Sequence, residues 1–95
     1  MADRFDFPAD LVDAQRAFLE LEARCEEIAA THPRPTDVAA GRAEIIPEQH
    51  AELAAARAEL LRLAEVLAYH EWWSTTADRT AAKRALREAA RLPLS

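Results

Sequence analysis

The sequence has a single glycine, a single cysteine and, against eleven arginines, a single lysine in its 95 residues. Each scarcity excludes something. One cysteine, Cys25, forbids an intrachain disulfide and fits a reducing compartment. No stretch of about 18 uncharged apolar residues exists, so no transmembrane helix is expected. Met1-Ala2-Asp3 places an acid where a signal peptide carries basic and apolar stretches, so the expectation is a cytoplasmic chain. The missing glycines, with prolines only at positions 8, 33, 35, 47 and 93, leave long segments without a breaker, which favours helices over sheets. Large apolar residues are also scarce. Of the 51% hydrophobic letters, 23 residues are alanine and 25 are larger. Such a thin core makes a lone domain marginal, and burial against a second copy or a partner is expected.

What is present is helical periodicity. Pro8 suits a first helical position, and Asp10 faces the positive end of the helix dipole. Leu11, Ala14, Phe18, Leu21, Cys25 and Ile28 alternate steps of three and four, which predicts a helix over 8–31 with one apolar seam. His32-Pro33-Arg34-Pro35 stops it, because a residue before proline is pushed out of the α region. Residues 32–46 read as a linker with a short turn after Thr36-Asp37 that Gly41 ends, and with Ile45-Ile46 as an anchor returning to the core. Leu53, Ala56, Leu60, Leu63, Leu67 and His70 repeat the spacing and predict a second helix over 47–73. A further row, Ala54, Leu61, Ala64 and Ala68, lies beside that seam, so the apolar stripe is wide enough for two neighbours. Ser74-Thr75-Thr76 offers N-caps for a third helix over 76–92.

The expected fold is all-α: a long antiparallel hairpin and a shorter third helix, in one domain that completes a bundle as a homodimer. An antiparallel hairpin brings Phe5 and Phe7 to Tyr69, Trp72 and Trp73, an aromatic lock at the turn into the third helix.

Chemistry is poorly provided for. Ser74 and Ser95 read as a turn residue and a terminal residue, Cys25 falls on the seam as a small hydrophobe, and acid pairs such as Glu26-Glu27 do not face each other on a helix. His50 and His70 stand twenty positions apart on one helix, about 30 Å, and no CxxC or HExxH pattern is present. His32 and His50 flank the linker, where they could meet beside Glu48 or Glu52. A small all-helical mutase site of the chorismate mutase type needs cations converging inside the bundle, and the arginines of the first two helices mostly fall off the seam. The expectation is a non-catalytic protein with neither metal nor cofactor.

Charge is polarised instead. Residues 1–71 carry 15 acidic and 7 basic side chains, whereas 72–95 carry 2 and 5. At 100° per residue Arg79, Lys83, Arg84, Arg87 and Arg91 share an arc of roughly 140°, opposite Ala82, Leu86 and Ala89. With Trp72 and Trp73, residue types enriched at binding hot spots, these five form the candidate partner-binding set. A basic helix after a turn also suits nucleic acid, as in a small DNA-binding regulator. The net charge of −5 opposes that alternative. A protein–protein interaction or adaptor module that self-associates through its hairpin is therefore the favoured function, with no membrane partner.

Two phrases, Phe7-Pro8-Ala9-Asp10-Leu11-Val12-Asp13-Ala14-Gln15-Arg16 and His70-Glu71-Trp72-Trp73, followed by Arg84-Ala85-Leu86-Arg87, resemble small helical proteins of actinobacteria. The resemblance spans most of the chain and implies no activity or site. Glu71 stands where those proteins carry a His-Pro pair.

Overall fold

A computed structural model describes residues 5–92. It contains four α-helices, α1 (Ala9–Ala30), α2 (Pro35–Ala39), α3 (Pro47–Ala68) and α4 (Arg79–Arg91), with a 3₁₀ turn at Glu71–Thr75 and no strand among the described residues. α1 packs against both α3 and α4, and no comparable contact joins α3 to α4. The molecule is elongated, 54 × 25 × 21 Å.

Both ends of α1 are closed by local chemistry. The Pro8 carbonyl accepts from the amides of Leu11 and Val12, and proline in an extended conformation hands the chain into the first turn. At the other end the Ile28 carbonyl accepts from the Thr31 hydroxyl at 2.8 Å and from His32 Nδ1 at 2.8 Å. α2 is the short turn expected in the linker. Arg42 clamps Asp37 beneath it at 3.0 Å, and Gly41, with φ of 76°, takes the left-handed conformation that reverses the chain. Ile45 and Ile46 do not anchor the linker: both are exposed, because the chain enters α3 at Pro47 before either can reach the seam.

The second long helix ends at Ala68, five residues short of the boundary that its apolar spacing predicts. Better hydrogen bonds are available outside the helix. The Trp73 indole N–H donates to the Leu67 carbonyl, one of the helix's orphaned C-terminal acceptors. His70, in an extended conformation, accepts the Trp72 amide on Nδ1 at 3.1 Å, which caps the 3₁₀ turn. Ser74 and Thr75 bond back to the carbonyls of Glu71 and Trp72 and so belong to that turn. Neither they nor Thr76 caps the last helix. Asp78 does, accepting the Ala81 amide at 3.1 Å, so α4 begins at Arg79 rather than 76.

Two cores result. Cys25, Ile28 and Leu53 form one near the linker, where Cys25 is the small hydrophobe that its place on the seam predicts. Leu11, Trp73, Ala82 and Leu86 form the other, with Phe5, Phe7, Val12, Leu67 and Trp72 packed around it. The aromatic lock exists: Phe7 and Trp72 rings lie 4.9 Å apart, and Trp72 meets Trp73 edge-on at 5.3 Å. Tyr69 stays outside it, 85% exposed, because the helix ends beneath it with its side chain turned to solvent. Between the cores the seam is only half-covered at Ala14, Phe18, Leu21, Leu60 and Leu63.

Asp10 ties the lock to α1. Its carboxylate accepts from His70 Nε2 at 3.0 Å, so one ring serves both partners, with Nε2 as donor to Asp10 and Nδ1 as acceptor from the Trp72 amide. That hydrogen bond holds the Asp10 carboxyl below its ordinary value of 3.8. A depressed carboxylate contributes stability that is complete above the unfolded-state value and is lost as pH falls through the folded one. Asp10→Asn should therefore leave little difference between variant and parent at the acid end of a pH-resolved melt, and a measurable deficit from pH 5 to 7. Leu11→Ala, which empties a fully buried site, should lower the unfolding free energy by about 3 kcal/mol in urea titration.

Candidate functional site

α4 leans on α1 and leaves a trough between itself and α3. Gln15 and Phe18 of α1 form its floor, Ala64, Leu67 and Ala68 one wall, and Arg79, Lys83 and Arg87 the other, while Trp73 closes one end. The trough, half open to solvent, has a volume of about 400 Å³. Its floor and α3 wall are apolar and its α4 wall is cationic.

Sequence spacing explains the cationic wall. Arg79, Lys83 and Arg87 recur every four residues, so they stack on one flank of α4 beside the buried stripe of Ala82, Leu86 and Ala90. Arg87 has Glu22 at 3.7 Å, and both side chains are partly exposed, so the pair contributes little to stability. Arg79 and Lys83 have no carboxylate within 4.0 Å among the described residues. The other two cations point elsewhere: Arg91 lies by Arg16, Leu19 and Leu92 at the far edge of α4, and Arg84 is exposed. The basic arc thus divides into a trough-facing set of three and two outliers. Trp73 is buried and serves as the trough's end wall, and Trp72 is half-buried with its indole N–H on the Asp6 carbonyl at 3.1 Å.

Gln15 is the trough residue that the sequence reading passes over. It is 6% exposed, and its amide nitrogen, buried on the trough floor, has no hydrogen-bond partner. An unmatched buried amide is costly, and such exceptions call for an explanation. The signal was present in the spacing. Gln15 stands four residues after Leu11 and three before Phe18, on the apolar face itself. Arg16 is also passed over: its Nε donates to the Ala90 carbonyl at 3.1 Å and closes the C-terminus of α4, fixing that helix on α1.

Elsewhere the structure offers less chemistry. His32 and His50 both line a pocket with Pro33, Pro35 and Ile45, and neither Glu48 nor Glu52 lines it. No group of three histidine, cysteine or acidic side chains able to hold a metal occurs among the described residues. No described helix is long and apolar enough to cross a membrane.

The trough predicts how Gln15 behaves. Gln15→Leu removes the unmatched amide at nearly constant volume and should hold or raise the melting temperature; a fall of several degrees would show that the amide makes bonds the structure lacks.

No curated protein matches the chain, and no solved structure does. A family profile does, over residues 10–89, from just inside α1 to the last turn of α4, so it takes in every wall of the trough. The chain belongs to this family, DUF8825, a domain of unknown function.

Proposed function

We propose that this protein is a non-catalytic helical interaction module that self-associates through the uncovered side of α3. One observation carries the reading. The part of the α3 row that lies outside the trough, Ala54 and Leu61, is exposed beyond what α1 covers, and α4 does not pack against it. Leu61 is 63% exposed. Single exposed leucines are ordinary on protein surfaces. This one lies in a row next to a seam that is itself only half-covered, so one neighbouring helix would bury both. A second copy supplies such a helix at no cost in specificity, with small alanines that let backbones approach closely.

Small domains with thin cores gain most from such burial. The paucity of paired nucleophile and base groups supports a non-catalytic role, and the buried, unpaired Cys25 suits the reducing cytoplasm. In this reading the family comprises the small helical actinobacterial proteins whose motifs the sequence resembles. Any protein partner beyond the second copy would meet the exposed side of α4, where Arg84 and Arg91 remain available.

Light scattering coupled to size exclusion tests the reading. The parent chain should run as a dimer and Leu61→Asp as a monomer with unchanged helical circular dichroism, since Leu61 is outside the α1 contact. A parent that is monomeric at every concentration, or a Leu61→Asp dimer as stable as the parent's, would reject it. Leu63→Asp, on the seam facing α1, should instead reduce helicity.

A further inference from the structure

We infer that the trough between α3 and α4 is a binding site for a single-chain anionic amphiphile, an aliphatic carboxylate whose tail lies along the apolar floor and whose head meets the α4 wall. This goes beyond self-association and does not depend on it. Three independent features converge on that chemistry. The cavity, about 400 Å³, falls in the lower part of the range for small-molecule sites, which suits one short chain rather than a double-chained lipid. Phe18, Leu67 and Trp73 supply an apolar lining. Arg79 and Lys83 present cations that no carboxylate of the described chain answers, while Arg87 shares its charge with Glu22.

Gln15 is what distinguishes this trough from an accidental gap. Its side chain is more than nine-tenths buried, lines the cavity, and leaves its amide N–H groups without an acceptor. A carboxylate oxygen is an acceptor without a donor of its own, so it answers the cations directly and satisfies the amide once the Gln15 side chain turns to bring Nε2 to the trough surface. A neutral alcohol head would leave the cations unanswered. A cationic head would be repelled.

Dodecanoate, kept below its micellar concentration, is the probe. Calorimetric titration should show saturable one-to-one binding to the parent chain, accompanied by a change in tryptophan emission, because Trp73 walls the cavity. The double variant Arg79→Ala/Lys83→Ala and the single variant Gln15→Leu should each bind roughly tenfold more weakly or worse, as expected for loss of charge-assisted or buried hydrogen bonds. Circular dichroism establishes that each variant is folded, and Arg84→Ala, outside the trough, should bind like the parent. Dodecanol should bind much more weakly than dodecanoate. The inference is overturned by absence of saturable binding, by equal binding of dodecanol, by undiminished affinity in the double variant or in Gln15→Leu, or by attachment to phosphatidylglycerol vesicles without uptake of free dodecanoate.

Discussion

The contact of α4 with α1 is the constraint from which the rest of the architecture follows. Leu11, the most completely buried large residue of α1, sits against Leu86, Ala82 and Trp73. Arg16 then holds the last turn of α4 through the Ala90 carbonyl. These interactions commit a 13-residue helix to one side of α1. A helix of that length cannot also cover the second apolar row of α3, so the chain is left with an incomplete three-helix arrangement. The trough and the exposed Leu61 row are two consequences of the same shortage. Alanine-rich faces pack closely but fill little volume, and 23 alanines leave the core with few large side chains to close the remaining space.

The aromatic cluster sets the angle at which α4 arrives. His70 and Trp73 end α3 by offering its carbonyls and the next turn better partners than another helical residue would. Phe5, Phe7 and Trp72 then cover that turn from outside. Tying Asp10 to His70 joins the beginning of α1 to the end of α3, so the hairpin is closed at the end where the third long element departs. The opposite end, around Cys25 and Leu53, is held by three buried side chains and a short linker helix. Stability is therefore concentrated at the aromatic end, and local opening is expected first near the linker.

Periodicity made the three principal helices, the hairpin and the short turn before Gly41 legible in the sequence, because the 3-4 spacing of Leu11 to Ile28 and Leu53 to Leu67 reports a buried face directly. The boundary after Ala68 was not legible from spacing. His70 continues the apolar phase, and only the tertiary placement of Trp73 makes stopping favourable. Asp78 displaced Ser74, Thr75 and Thr76 as the cap for a similar reason: the first two are consumed by the 3₁₀ turn and Thr76 ends it in an extended conformation. The division of the basic arc depends on which flank of α4 meets α3, a tertiary fact that a helical wheel of α4 alone does not contain. Ile45, Ile46 and Tyr69 show the limit of hydrophobicity as a predictor of burial in a chain whose core has few elements to place over them.

Methyl and aromatic nuclear Overhauser contacts test the central claim, that α4 packs on α1 and leaves α3 uncovered. The account predicts contacts from the Leu86 methyls to Leu11 and to the Trp73 ring, with none from Leu86 or Ala82 to Leu60 or Leu61. Strong contacts between α4 and Leu60 or Leu61 would mean a closed three-helix bundle, with no trough and no uncovered row, and would contradict it.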